Sequence, residues 1–162
     1  MNKPSPNKDP LANKRAFQNT LAKWFGKEGK AYPWRETTEP WAILVSEIML
    51  QQTQVATVLG SNEDGSGGHY KRFMALYPTP RSMAEATEQE ILKAWEGLGY
   101  YRRARNLHAA AKAITRDHNG RFPEKFEQIR ALPGIGPYTA GAVASFAYNE
   151  PQAIVDANVA RV

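Results

Sequence analysis

The chain has 162 residues, 42% of them hydrophobic, which suits one globular domain or one domain and part of a second. Its 21 basic and 16 acidic residues give a net charge of +5, which favours an anionic partner but is common in proteins that bind no nucleic acid. It contains no cysteine, which excludes disulfides, thiol nucleophiles and cysteine-ligated metal or iron–sulfur clusters within these residues.

The first ten residues contain three prolines and no apolar cluster, which predicts a disordered tail rather than a signal peptide. No apolar run in the chain approaches the roughly 18 residues that a membrane-spanning helix needs. We therefore expect a soluble, cytoplasmic protein that does not associate with membranes.

Apolar residues recur at helical spacing along the chain, and no segment shows the period-two alternation of a strand. Helices are predicted over residues 11–25, 41–59, 69–77, 81–86, 88–97, 100–118, 124–130 and 138–148. The polar, glycine-rich stretch 60–68 is predicted to be a flexible loop. The fold class is therefore expected to be all-α with short loops.

Helix boundaries are marked by capping residues. We expect Ser82 and Thr87 to be N-caps, and Gly97 and Gly120 to end helices. Asp156 is expected to cap another helix, and the sequence ends little more than one turn into that helix. This predicts that the chain is a C-terminally truncated piece of a longer protein.

A Gly-Pro turn precedes the last full helix, in the stretch from Leu132 to Ala142 (LPGIGPYTAGA). Backbone N–H groups at a helix N-terminus lack intrahelical partners, and the helix dipole adds partial positive charge there. Gly134 and Gly136 carry no side chain that would keep a phosphate at a distance. The turn therefore predicts a binding site for a nucleic-acid backbone, although two glycines alone are a weak signal.

Two carboxylates are candidates for chemistry. Glu47 stands among apolar residues, where lost hydration would raise its pKa and suit it to act as a general acid; the alternative is a solvated position on an amphipathic helix. Asp156 is either a helix N-cap alone or also an ionised carboxylate facing a developing cation. One protonated and one ionised carboxyl form the pair that breaks a bond at an anomeric carbon.

The stretch from Gly97 to Arg105 (GLGYYRRAR) joins two aromatics to three arginines behind a glycine turn. Such a segment could stack on bases and bind phosphates, or it could be a helix C-cap followed by a basic helix with tyrosine packed inward. The three histidines are scattered without metal-ligand spacing, so we expect them to be surface or structural residues.

Together these features resemble the helix-hairpin-helix base-excision DNA glycosylases, and within them the adenine-specific branch. The matching segments are residues 33–35 (PWR), 46–55 (SEIMLQQTQV), 95–101 (WEGLGYY), 105–108 (RNLH), 132–142 and 155–159 (VDANV). The resemblance implies a helix-hairpin-helix glycosylase fold, with a six-helix-barrel-like core over 31–150 and the hairpin motif at about 124–148. It assigns the helix within 11–30, and residues 151–162, to an incomplete second subdomain.

The same resemblance implies hydrolysis of the N-glycosidic bond of adenine mispaired with 8-oxoguanine or guanine in double-stranded DNA. The enzyme would be a monomer associated with the bacterial nucleoid. The implied catalytic residues are Glu47 as the acid on the adenine ring, Asp156 facing the sugar cation, Tyr138 near the sugar and Asn158 in support. The implied DNA contacts are Trp34, Arg35 and Leu50 at the adenine pocket, Gln52 and Tyr100 inside the duplex, and Gly134, Gly136 and Thr139 at the hairpin.

The sequence departs from the family pattern in three places. The family's 4Fe–4S cluster would need cysteines beyond residue 162, so we expect no cofactor or metal in this chain. The loop 60–68 is longer than the usual connection, and Ala157 stands where glycine is usual.

The residue type at position 138 distinguishes two branches of the family, and here it is tyrosine. Relatives of the endonuclease III type, which also cleave the strand, carry a nucleophilic lysine at this place. Residues 130–162 contain no lysine, so no amine is available there to form a Schiff base. This favours a monofunctional hydrolase over a glycosylase/lyase.

Two further alternatives are a non-catalytic helix-hairpin-helix DNA-binding module and an all-α interaction domain whose glycines only close a turn.

Overall fold

A computed structural model of the chain describes residues 13–60, 67–155 and 159–161. The described residues form nine α-helices and two 3-10 turns and no strand, which confirms the all-α prediction. The helices are α1 (Lys14–Glu28), α2 (Pro40–Leu50), α3 (Val55–Leu59), α4 (His69–Leu76), α5 (Pro80–Ala84), α6 (Glu88–Ala94), α7 (Arg102–Asp117), α8 (Phe126–Arg130) and α9 (Pro137–Tyr148). The 3-10 turns are Pro33–Arg35 and Val159–Arg161.

The chain divides into two compact units, Met1–Tyr32 and Pro33–Val162. The first contains α1, in which no residue is buried. Its apolar residues Phe17, Leu21, Trp24 and Phe25 are all exposed. The predicted tail over residues 1–10 and the predicted cap Asp156 lie outside the described residues, as does most of the loop 60–68.

The core of the second unit is built around α2. Eight of its eleven residues are buried, because a helix that is apolar on every side must be covered on every side. It packs against α4, α7 and α9, while α5 and α6 pack against α7. Two side chains bind α4 and its end to α2: Trp41 Nε1 donates to the Tyr77 carbonyl at 3.0 Å, and the Tyr70 hydroxyl donates to the Ala42 carbonyl at 3.2 Å. The helix is therefore fixed from several directions.

The prediction of one long helix over residues 41–59 is wrong. The backbone turns between α2 and α3 at Gln51 and Gln52, where φ of Gln52 is +56°. Arg103 of α7 donates to the carbonyls of Ile48 and Met49, at 3.0 and 2.9 Å, and so satisfies two acceptors that the end of α2 leaves free. Apolar residues continue at helical spacing from α2 into α3, so the sequence gives no sign of the break.

The capping predictions are partly confirmed. Thr87 caps α6 in a capping box with Glu90, as expected. Ser82 is not an N-cap: Thr79 caps α5, because Pro80 is suited to the first helical position and sets the start of the helix. Gly97 and Gly120 follow the ends of α6 and α7 with φ of +92° and +78°. No helix of the described residues is both long and apolar enough to cross a bilayer.

Candidate active site

Glu47 lies half-buried on α2, whose other polar side chain, Ser46, donates to the Ile43 carbonyl at 2.8 Å. Burial removes water from the Glu47 carboxyl and raises its pKa above the usual 4.5. The alternative of a solvated stripe fails, because α2 has no polar face. The fold thus favours the protonated form of this carboxyl more than water does.

The packing of α2 against α9 brings the Glu47 helix to the helix-hairpin-helix motif. At this contact Gln51 Nε2 donates to Thr139 Oγ1 at 3.4 Å, and the Thr139 side chain is only 3% exposed. The sequence-based prediction gave Thr139 a contact with DNA. Because the residue is buried, nothing in its position supports that contact, and its role stays a prediction.

The hairpin motif consists of α8, a tight turn and α9. Leu132 and Ile135 are buried and anchor the turn, and the Ile135 N–H donates to the Leu132 carbonyl at 3.1 Å. Gly134 has φ of +73°, and a Cβ there would lie 2.5 Å from Asn106 Cβ, so both backbone and packing require glycine. Gly136 has ordinary φ, and a Cβ there would meet nothing within 4 Å. The two glycines therefore differ: packing inside the chain explains Gly134 only.

The first turn of α9 follows Gly136 at the surface. The Ala140 N–H donates to the Gly136 carbonyl at 2.9 Å, and Pro137 occupies the first helical turn, where its missing N–H costs nothing. The start of a twelve-residue helix attracts anions through its N–H groups and its dipole. Tyr138 lies on this turn and is 39% exposed.

Gln52 and Tyr100, the predicted duplex-entering residues, share an unusual backbone. Both are exposed, with φ of +56° and +44°. The other non-glycine residues with positive φ in the described part of the chain are Asn119 and Asn149, a residue type that tolerates this region. A glutamine or tyrosine held there costs on the order of 1–3 kcal/mol, so the surrounding structure must enforce it.

Of the predicted adenine-pocket residues, Trp34 and Arg35 lie in a 3-10 turn that contacts α2, and Leu50 is the last residue of α2. Trp34 is buried, with its ring edge-to-face against Tyr70 at 5.2 Å, while Arg35 is exposed and Leu50 is half-buried. A cavity of about 480 Å³ opens nearby, lined by residues that include Glu36, Trp41, Tyr70 and Lys71. None of Trp34, Arg35 and Leu50 lines it, so their role stays a prediction.

The second carboxylate of the predicted pair, Asp156, and its neighbour Asn158 lie outside the described residues. Their roles also stay predictions. The chain has no cysteine to ligate the iron–sulfur cluster that the resemblance implies. The described residues contain no group of three or more histidine, aspartate or glutamate side chains placed to hold a metal ion.

Sequence reasoning missed the place of Arg103. It treated the three arginines at residues 102–105 as one basic set for phosphates or for a basic helix, but Arg103 is only 7% exposed. A signal was available: Arg103 shares helical spacing with Leu107, Ala110 and Ala111, which form the buried face of α7. An arginine that shares the apolar face of a helix is expected to point its guanidinium into the core.

Comparisons with known proteins agree with this geometry. Residues 45–162 match the family described as "HhH-GPD superfamily base excision DNA repair protein". An adenine DNA glycosylase of Mycobacterium tuberculosis is 46% identical over 145 residues, which are 89% of this chain and 45% of that protein. An adenine DNA glycosylase of Homo sapiens is 39% identical and covers 94% of this chain and 28% of the human protein.

Solved structures show the same fold. A thermostable thymine-DNA glycosylase superposes with a TM-score of 0.80 at 30% identity, over 91% of this chain and 66% of that one. An endonuclease III in a non-covalent DNA complex superposes with a TM-score of 0.71 at 24% identity, over the same shares of the two chains, a likeness of fold alone. The chain belongs to the HhH-GPD superfamily of base excision DNA repair proteins. It spans less than half the length of these adenine DNA glycosylases.

The raised pKa of Glu47 predicts how stability depends on pH. Well below pH 4.5 the carboxyl is protonated in both folded and unfolded states and contributes no pH dependence. Above pH 4.5 the unfolded chain loses the proton first, so the free energy of unfolding falls until pH passes the folded pKa. Glu47→Gln removes this loss, so denaturant unfolding will show its stability relative to wild type rising from pH 4 to pH 7. A constant difference over this range contradicts a raised pKa, and Glu85→Gln, at an exposed carboxylate, is the control.

Proposed function

We propose that this chain carries the acid-catalytic part of an adenine-specific DNA N-glycosylase, which removes adenine mispaired with 8-oxoguanine or guanine. The observation that carries the proposal is Glu47: a half-buried carboxyl with a raised pKa, on a helix packed against the second helix of the hairpin motif. The similarity to adenine DNA glycosylases supports the choice of base. Such an enzyme acts on double-stranded DNA, and we place it in the cytoplasm with the bacterial nucleoid.

The proposed reaction begins with adenine extruded from the duplex, because the acid cannot reach a stacked base. Glu47 gives its proton to a ring nitrogen of adenine. The glycosidic bond then breaks, and its electron pair leaves with the neutral base. The resulting sugar cation is stabilised by the carboxylate of Asp156, with Asn158 in support, until water adds at the anomeric carbon and releases a proton. The products are free adenine and an abasic site.

Tyr138 supports hydrolysis without strand cleavage. It lies on the exposed first turn of α9, where a hydroxyl can contact the sugar or the water. Because residues 130–162 contain no lysine, the Schiff base that a lyase requires has no nucleophile in this segment. We therefore propose a monofunctional enzyme, and a monomer.

Base release tests the proposal. Under single-turnover conditions, the longest natural form of the protein that contains this sequence is expected to release adenine from an adenine:8-oxoguanine duplex. Glu47→Gln keeps the shape of the side chain but removes the acid, and should slow release by about 10²- to 10⁴-fold. Glu85→Gln is the matched control and should leave the rate unchanged.

Each alternative has its own result. Undiminished release by Glu47→Gln overturns the acid role. Duplex binding with no base release by the wild type favours a DNA-binding module without catalysis, and absence of binding at low salt favours an interaction domain. A covalent adduct with DNA after borohydride reduction contradicts the monofunctional assignment.

The two hairpin glycines provide a separate test of DNA binding. Gly136→Ala adds a methyl group in open space, so it should leave thermal unfolding unchanged but keep a phosphate at a distance and weaken duplex binding about tenfold. Gly134→Ala meets Asn106 and a positive φ, so it should mainly lower the unfolding temperature. Equal duplex affinity of Gly136→Ala and wild type, measured at low salt, contradicts a phosphate contact at this turn.

A further inference from the structure

Arg103 makes an unusual set of contacts for a buried charge. Its Nη1 donates to the carbonyls of Ile48, Met49 and Gln51, and its Nη2 donates to the Thr53 hydroxyl at 3.0 Å and to the carbonyls of Leu98 and Gly99 at 2.9 and 3.4 Å. None of these acceptors is a carboxylate, and within the described residues Arg103 makes no ion pair. The charge is offset by carbonyl dipoles instead, including those at the negative end of α2.

One side of this set is the turn that carries Gln52. Residues Leu50 to Thr53 form a turn closed by the Thr53 N–H and the Leu50 carbonyl at 3.4 Å, with φ of +56° at Gln52. Turns of this shape normally have glycine or asparagine at that position. Arg103 binds the carbonyl of Gln51 before the strained residue and the hydroxyl of Thr53 after it. The guanidinium therefore brackets Gln52.

The other side is the turn that carries Tyr100. Arg103 Nη2 binds the carbonyls of Leu98 and Gly99, and Trp95 Nε1 also donates to Gly99 at 3.1 Å. The guanidinium carbon lies 5.3 Å from the centre of the Tyr100 ring and 5.5 Å from that of Trp95, within cation–π range. The same side chain that brackets Gln52 therefore also binds the backbone just before Tyr100 and lies against the Tyr100 ring.

We infer that Arg103 is a positioning residue that joins the Gln52 turn to the Tyr100 turn, so that the two exposed side chains are presented to the duplex as one unit. The inference rests on the proposed function, in which both side chains enter DNA around the base opposite adenine. Lysine at this position keeps the charge, but it has one nitrogen and lacks the planar fork that reaches both turns. Arg103 also contacts the end of the Glu47 helix, so its loss affects base release.

The first test measures discrimination between opposite bases. Single-turnover adenine release is compared for duplexes with 8-oxoguanine or guanine opposite, using wild type, Arg103→Lys and the control Arg116→Lys, an exposed arginine on the same helix. Arg103→Lys should slow release opposite 8-oxoguanine by on the order of 100-fold and reduce the 8-oxoguanine-to-guanine ratio several-fold. Loss of stability alone lowers both rates equally, so an unchanged ratio overturns the inference.

A double-mutant cycle shows whether Arg103 acts through Tyr100. If it does, Arg103→Lys with Tyr100→Ala will lose little more discrimination than the worse single variant. Losses that multiply overturn the coupling. Should Arg103→Lys fold poorly, Thr53→Val removes one acceptor and should cause a smaller fall in the same ratio, and an unchanged ratio there also counts against the inference.

Amide hydrogen exchange tests the coupling without any activity. In Arg103→Lys, exchange at residues 51–53 and 98–101 should quicken together by about tenfold or more while the middle of α9 keeps its protection. Faster exchange in only one of the two segments overturns the coupling. Joint acceleration in a protein that releases no adenine leaves the coupling standing and refutes the proposed function alone.

Discussion

The burial of α2 is the constraint on which the rest of the structure depends. A helix made almost wholly of apolar residues must be covered by α4, α7 and α9, and this covering deprives its single carboxyl of water. The hydrophobic effect that folds the domain therefore also raises the pKa of Glu47. Because α9 is one of the covering helices, the same packing fixes the helix that carries Glu47 relative to the Gly134–Gly136 turn. The packing that forms the core therefore also positions the carboxyl that we propose as the acid.

Strain is concentrated where the proposed enzyme would meet the opposite strand. Gln52 and Tyr100 adopt positive φ, which their residue types rarely adopt, and a single buried guanidinium contacts both turns. The hairpin turn differs: there Gly134 relieves the strain directly, and Gly136 leaves open space in front of the helix. The two surfaces that we propose to face DNA are thus formed differently, one by enforced strain and the other by the absence of side chains.

The sequence predicted most helices because apolar spacing and capping residues act locally, as Thr87 and Gly120 show. It did not predict the end of α2, because the side chain that donates to its last carbonyls is Arg103, more than fifty residues away in the chain. Glu47 could be singled out from its apolar neighbours, but only packing decides whether those neighbours bury it. Gly134 and Gly136 look alike in sequence, and only the structure distinguishes them, through the positive φ of Gly134 and its packing against Asn106 of α7.

The most direct measurement is the titration of the Glu47 carboxyl carbon by NMR in protein labelled with carbon-13 at glutamate, with Glu47→Gln used to assign the signal. Because burial removes water from this carboxyl, its pKa is expected above 4.5. A Glu47 pKa at or below 4.5 would contradict the account, because α2 would then not supply a protonated acid.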